Sequence, residues 1–308
     1  MNLLYCLDSN YNIQGLNSIN SILDKVNKKL NFYIIHNSPY KFEQMVKELS
    51  SYKEHNFNFY QFDNERKNFP KVKNSHVSDA TYYRLFISDY LPDNLEFITY
   101  IDADILCFKN PVDEIQKQIN EMQEAGNPIS VVTEMVGNEE YIENLSLQQD
   151  KYFNAGVMVI DYKKWLEISS NNLFIQNMHL LEDKIIWWDQ DVLNHTFDGD
   201  YFELNYLLNY KIEYSKKFNY KKINHDVYFL HYQGKTKPWD INTFSSEYSK
   251  PYTEKYRNLD LGPYHLVIKK PLKDFFNFIL IFFRDFSKID YKIALLKVFF
   301  KSLLNLEK

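Results

Sequence analysis

The chain predicts an α/β fold, an open sheet with helices on both faces. Three observations carry that reading. Strand-like and helix-like segments alternate along its first half. Apolar residues make up 45% of 308 positions, enough for a sizeable core. Only seven glycines occur, and they form neither a Gly-x-Gly-x-x-Gly fingerprint nor a Gly-x-x-x-x-Gly-Lys loop, so the common dinucleotide and P-loop versions of the fold are disfavoured. Any phosphate bound here needs a metal and scattered side chains to neutralise it.

The elements follow from local pattern. Residues 2–7, 32–35, 57–61, 97–101 and 129–132 are short runs rich in β-branched and aromatic side chains and read as strands. Segments 16–28, 41–51, 79–90 and 112–124 read as helices, the last with Pro111 just before it as a start signal. No internal repeat or low-complexity linker interrupts them.

After about residue 263 the character changes. Residues 275–283 are apolar except for Asn277, a run too short to span a bilayer. Beyond it Phe286, Ile289, Ile293, Leu296, Phe300, Leu303 and Leu304 share one helical face, flanked by Lys288 and Lys292 on one side and Lys297 and Lys301 on the other. Segment 268–308 holds nine Lys and Arg against four Asp and Glu; the net charge of −5 therefore leaves about −10 on the remainder. We expect a catalytic body over 1–262 and, over 263–308, a helical basic tail that lies on an anionic membrane surface. The alternative is a helix packed on the body or on a second copy. The acidic body argues against nucleic acid as a partner. Cys6 and Cys107 sit in apolar runs and suggest no disulfide framework, and the N-terminus has no basic and apolar leader pattern, so the expected compartment is the cytoplasm.

Chemistry concentrates in four places. Asp102-Ala103-Asp104 directly follows the run 97–101. Residues two apart on an extended backbone project to one side, so both carboxylates can reach one hard cation at a strand's carboxyl end, where open α/β sheets place ligands. Two other Asp-x-Asp strings occur, Asp189/Asp191 and Asp198/Asp200, and Asp198-Gly199-Asp200 is most simply a turn. Tyr152-Phe153-Asn154-Ala155-Gly156 leads into an apolar run; Gly156 permits a close backbone approach and Asn154 offers an amide to a ligand hydroxyl. Trp187-Trp188-Asp189-Gln190-Asp191 packs acids and an amide against two indoles; a solvated place for Asp189 and a helix-cap role for Asp191 remain the plainer alternatives. His231, after strand-like 227–230, offers an imidazole to a metal already held by carboxylates, and Lys237 offers a point charge to phosphate.

Taken together and in order, these segments resemble one family. Asp8-Ser9-Asn10-Tyr11, Ala80-Thr81-Tyr82-Tyr83-Arg84-Leu85, Asp102-Ala103-Asp104, Tyr152 to Trp165, Asp189-Gln190-Asp191-Val192-Leu193-Asn194 and His231-Tyr232…Gly234…Lys237-Pro238-Trp239 resemble glycosyltransferase family 8, near its bacterial lipopolysaccharide galactosyl- and glucosyltransferases, from about residue 2 to 240. The resemblance implies a GT-A fold, a Rossmann-like nucleotide-sugar-binding mixed sheet flanked by helices. It also implies a UDP-sugar donor, Mn²⁺ (with Mg²⁺ as the other candidate) and retention of anomeric configuration. It implies a glycolipid or oligosaccharide acceptor and a place on the inner face of the cytoplasmic membrane. By motif position it makes Asp102, Asp104 and His231 metal ligands, and Asp8, Asn10, Tyr11 and Ala103 nucleotide contacts. Gly234 and Lys237 become diphosphate contacts, with Arg84, Asn154 and Ala155 around the donor sugar. Gln190 falls at the catalytic position on the far face of the anomeric carbon, with Asp189 and Asp191 beside it. A transferase acting on protein or on itself, and an inactive nucleotide-sugar-binding module, are the competing readings.

Overall fold

The computed structural model describes residues 1–63, 69–70, 78–134, 139–214, 220, 223, 226–244, 246–259, 261, 265–267, 271–284, 292–293, 296–297 and 299–300. Its centre is a seven-stranded sheet in the order β3-β2-β1-β4-β7-β6-β8. The strands are β1 (Asn2–Leu7), β2 (Asn31–His36), β3 (Asn56–Gln61), β4 (Phe97–Ile101), β6 (Ile129–Thr133), β7 (Phe153–Asp161) and β8 (Phe202–Glu203). Neighbours pair in parallel except at β7, which runs antiparallel between β4 and β6. A second sheet, in the order β5-β10-β9, joins β5 (Ile105–Cys107), β9 (Tyr210–Ile212) and β10 (Phe229–Tyr232). The α/β expectation holds, and the sheet is mixed.

The α-helices are α1 (Asn12–Leu23), α2 (Pro39–Lys47), α3 (Val112–Ala125), α4 (Glu139–Leu145), α5 (Tyr162–Ser170), α6 (Leu173–Leu180), α7 (Trp188–Phe197), α8 (Lys250–Arg257) and α9 (Pro271–Arg284). The expected helix at 79–90 is instead a 3₁₀ segment, Asp79–Asp89, with a kink at Phe86. Helix α3 shows how sequence makes these elements. Asn110 accepts from the Val112 amide, Asp113 and Glu114 occupy the positive first turn, and Gly126 ends the helix at φ +79°. Ile115, Ile119 and Met122 supply its buried stripe.

Alternation along β1 separates two cores. Leu4 and Cys6 enter one, with Ile35, Tyr100 and Trp165; Leu3, Tyr5 and Leu7 enter the other, with Ile34, Phe42 and Ile119. A third core lies on the small sheet and draws in Leu230, Tyr232, Trp239, Tyr252, Leu266, Phe278 and Phe299. Described residues on either side of the expected boundary, Tyr256 and Leu266 among them, contribute to this third core. Val267 donates to the Trp239 carbonyl at 2.8 Å, and Phe278 stacks on Phe299 at 4.2 Å. Of the expected tail face, Leu296 packs against this core while Ile293 and Phe300 are exposed; Phe286, Ile289, Leu303, Leu304, Lys288 and Lys301 lie outside the described residues. No helix among the described residues is long and apolar enough to cross a membrane.

Candidate active site

A cleft of about 580 Å³ opens above the carboxyl ends of β1 and β4. These strands are neighbours at the point where the sheet order reverses, the place an open α/β sheet offers a ligand. Asp8 leaves β1, and Asp102, Ala103 and Asp104 leave β4. Because β7 is antiparallel, its first residues lie beside them, and the Asp102 amide donates to the Gly156 carbonyl at 2.9 Å. His231 arrives from β10, paired with Ile105 of β5. Helix α7 brings Asp189 and Gln190, and the 3₁₀ segment brings Arg84.

Asp102, Asp104 and His231 each present a ligand atom, all within 4.8 Å of one another. His231 Nε2 is 3.5 Å from Asp104 Oδ1, and that oxygen is buried with no hydrogen-bond partner among the described residues. A buried carboxylate oxygen left unsatisfied is costly, and a cation would satisfy it. Two carboxylates and an imidazole are a fitting donor set for a small divalent ion.

The charges around this triad are arranged for it. Burial pushes the Asp102 carboxyl above its ordinary value, and Arg84 opposes that only in part. At Asp104 burial pushes the same way, but Lys237 and His231 outweigh it and hold the carboxyl below its ordinary value. Lys237 Nζ is 2.6 Å from Asp104 Oδ2 and donates to the Tyr232 carbonyl at 2.8 Å. Burial holds the His231 imidazole below its ordinary value despite the nearby carboxylates, so the ring is neutral at pH 7. Tyr100 donates to Asp102 Oδ1 at 2.6 Å, and the Arg84 guanidinium lies over the Tyr100 ring at 4.5 Å.

Arg84, 4% exposed, bonds the Asp189 carboxylate through Nε and the Ala155 carbonyl through Nη1 at 2.5 Å. Gln190 is fixed from both ends: the Ala155 amide donates to its Oε1, and its Nε2 donates to Tyr152 Oη, each at 3.0 Å. Asn194 seats α7 on β7 by bonding the Phe153 amide and carbonyl at 2.7 and 3.0 Å.

Most of the expected site residues meet at the cleft: Asp8, Tyr11, Arg84, Asp102, Ala103, Asp104, Asn154, Asp189, Gln190, His231, Gly234 and Lys237 all line it. Three do not line it. Asn10 donates to Asp8 through its amide at 2.9 Å and through Nδ2 at 3.2 Å. Ala155 contributes main-chain bonds. Asp191, expected beside the reacting carbon, accepts from Tyr152 Oη at 2.6 Å and from the Ile186 and Trp187 amides at 2.7 and 2.8 Å. These three bonds use both of its oxygens to hold the approach to α7. Asp189 is 1% exposed and paired, not solvated. Asp198-Gly199-Asp200 is the turn expected, with φ of +39° and +84° at its first two residues.

The sequence profile of Glycosyl transferase family 8 matches residues 2–243, most of the chain and every cleft residue named above. The chain belongs to glycosyltransferase family 8. This transferase is 29% identical over 299 residues to a lipopolysaccharide 1,2-glucosyltransferase of Escherichia coli, covering 87% of this chain and 82% of that one. It is 28% identical over 262 residues to a lipopolysaccharide 1,3-galactosyltransferase of Salmonella typhimurium, covering 77% and 72%. Among solved structures, the galactosyltransferase LgtC in complex with donor and acceptor sugar analogs superposes with a TM-score of 0.68 at 18% identity, covering 89% of this chain and all of that one. An active-site mutant of LgtC gives 0.71 at 19% identity, covering 85% and 98%. The fold of the transferase is GT-A.

Two residues of this family 8 enzyme escape sequence reasoning. Tyr100 sits inside an apolar strand and reads as core, yet its hydroxyl holds Asp102. Asn209 lies in no motif, yet its Oδ1 stands 2.9 Å from His231 Nδ1. Gly156, by contrast, carries its signal openly: a Cβ there would lie 2.4 Å from His231 Cε1.

Proposed function

We propose that the enzyme transfers a hexose, galactose or glucose, from a UDP-sugar to a sugar acceptor with retention of configuration, in building lipopolysaccharide, lipooligosaccharide or a related surface glycan. The observation that carries the reading is the buried, unpartnered Asp104 Oδ1 within the Asp102–Asp104–His231 triad, facing a cleft whose other wall holds Gln190. The lipopolysaccharide relatives support the acceptor class.

Asp102, Asp104 and His231 would hold Mn²⁺, with Mg²⁺ as the other candidate. When bound, the ion supplies positive charge to the diphosphate leaving group. Lys237 adds a second positive charge there, and Asp8, Asn10 and Tyr11 serve the nucleotide. Burial pushes the Asp189 carboxyl above its ordinary value and Arg84 opposes that, while its ion pair holds Asp189 in place beside the sugar, near Asn154. Gln190, a neutral amide, is a poor nucleophile. The carboxylates on either side of it are engaged, Asp189 by Arg84 and Asp191 by Tyr152 and two amides. A covalent double displacement needs a free carboxylate at that face. Attack on the leaving-group face fits better: the bond from the anomeric carbon to the diphosphate breaks, its electron pair leaves with UDP, and the acceptor hydroxyl bonds the same face and gives up its proton to the departing phosphate. Segment 263–308 would bring the enzyme to the inner face of the cytoplasmic membrane, through its basic charge and the exposed Phe275, Phe276 and Phe283.

The test is UDP release from a panel of UDP-sugars with Mn²⁺, with and without chelator, in wild type and Asp104→Asn. Release should favour one sugar, stop with chelator, and vanish in the variant while its thermal midpoint in chelator is kept. Chelator-insensitive release refutes the metal assignment. Mass spectrometry of the enzyme after reaction separates the competing reading, since sugar on the polypeptide itself points to protein glycosylation.

A further inference from the structure

A chain of hydrogen bonds runs behind the site, and the main chain fixes its direction. The Gly156 backbone N–H donates to Asn154 Oδ1 at 3.0 Å. A backbone amide is only a donor, so the Asn154 atom it meets is the oxygen. Asn209 Nδ2 donates to the same oxygen at 2.9 Å, which turns the oxygen of Asn209 the other way. There Asn209 Oδ1 stands 2.9 Å from His231 Nδ1. An amide oxygen only accepts, so the His231 hydrogen is on Nδ1 and the neutral ring keeps its lone pair on Nε2. Nε2 is the nitrogen that faces Asp104 Oδ1 at 3.5 Å. Asn209, Asn154 and His231 are at most 4% exposed, so water does not compete for these bonds.

The oxygen that Nε2 faces is open: Asp104 Oδ1 has no hydrogen-bond partner among the described residues.

We propose that Asn209 is a positioning residue that sets two parts of the site at once: it holds His231 in the tautomer whose Nε2 can ligate a metal, and it locks the amide of Asn154 beside the donor sugar. Asn209 closes the 3₁₀ turn Tyr206–Asn209 just before β9, which pairs in parallel with β10 and matches Lys211 to His231; from two residues earlier in the chain, Asn209 reaches His231 through its side chain. The proposal rests on the metal reading given above.

Two variants test it. In metal-free wild type, ¹⁵N–¹H correlation of the histidine rings should show His231 with hydrogen on Nδ1; in Asn209→Leu it should move toward Nε2. Titration with Mn²⁺ at saturating UDP should show a loss of about 10- to 100-fold in the Leu variant, the usual cost of losing such a supporting bond. Asn209→Asp keeps the acceptor for Nδ1 and should retain Mn²⁺ affinity, but it sets oxygen against Asn154 Oδ1, so the KM for the UDP-sugar should rise while UDP affinity stays. Hydrogen on Nε2 in wild type overturns the proposal. So does a Leu variant that binds Mn²⁺ as wild type does, or Leu and Asp variants with equal losses and unchanged thermal midpoints. A wild type that binds no Mn²⁺ while His231 shows hydrogen on Nδ1 overturns the metal reading itself, and with it the role given to Asn209.

Discussion

Gly156→Ala is the sharpest probe of the site, because it adds one carbon and no charge. The new Cβ would lie 2.4 Å from His231 Cε1, 2.7 Å from Nδ1 and 3.0 Å from Asn154 Oδ1. Ordinary carbon contacts begin near ~3.5 Å, so the imidazole must retreat by about 1 Å. It has little freedom to do so: Asn209 holds Nδ1, and strand β10 holds the backbone between β5 and β9. Any retreat moves Nε2 relative to Asp104. Overpacking of this kind costs about 1–3 kcal/mol in stability, and a ~1 Å displacement in a reacting site can cost about a hundredfold in rate. We expect Gly156→Ala to fold, to lose about 1–3 kcal/mol in urea unfolding with chelator present, and to lose at least about tenfold in Mn²⁺ affinity and about a hundredfold in UDP release. Wild-type Mn²⁺ affinity in a folded Gly156→Ala protein would refute the reasoning, because His231 would then not be a ligand held against that backbone.

Other outcomes follow from neighbouring contacts. Lys237 occupies Asp104 as an internal cation, so Lys237→Met should bind Mn²⁺ about tenfold or more tightly without nucleotide, by removal of a nearby like charge, while its KM for the UDP-sugar rises; calorimetry that finds no change in Mn²⁺ affinity contradicts this. His36 is buried and neutral, with Nε2 2.8 Å from Asn12 Oδ1, and burial takes its pKa from 6.5 down to about 4. Its contribution to stability is full above pH 6.5 and is lost as pH falls toward 4, at most about 3 kcal/mol. Urea unfolding of His36→Asn should show a correspondingly shallower loss between pH 7 and 4.5, and an unchanged slope rules the effect out. Phe276, Phe283 and Phe300 are 73%, 68% and 52% exposed, whereas Phe278 and Phe299 are core. Changing the three exposed rings to Ser should keep the fold and reduce co-sedimentation with anionic vesicles by about tenfold or more, since burying one such ring contributes about 1.5–3 kcal/mol; undiminished sedimentation shows that the tail does not bind membrane.

Much of the fold was legible because its signals are local. Strands β1 to β4 and β6 are runs of apolar and β-branched residues, and α3 has its start and stop residues in place. Strands β5, β8 and β9, of three, two and three residues, carry no pattern that long. Their pairing comes from the tertiary fold, and so β5 and β9, the two strands that flank β10 in the small sheet, are invisible in sequence. The kinked 3₁₀ segment carrying Arg84 reads as an ordinary helix because its apolar spacing is close to helical. At the site, residues whose type is unusual for their surroundings were legible: acids after an apolar strand, a glycine before one, a histidine at a strand end. Those that act through a neighbour were not. Tyr100 looks like any core aromatic, and Asn209 gains its meaning only when β9 lies beside β10. Asp191 is the opposite case: an acid next to Gln190 suggests chemistry, and what the sequence does not reveal is that its three hydrogen bonds brace the loop before α7.

The ion pair of Lys237 with Asp104 joins residues 133 positions apart. Such a contact closes a very long loop, and the entropy of that closure delays it until both sheets are in place. The catalytic centre therefore exists only where both sheets are already in place. An unfolded chain has no triad to offer, so on the proposed metal and donor reading a cation and a nucleotide sugar would act as a clasp on the finished fold, adding about 2.7 kcal/mol when present at a hundred times their dissociation constant. Resistance of the chain to proteolysis would then rise with the supply of its proposed donor.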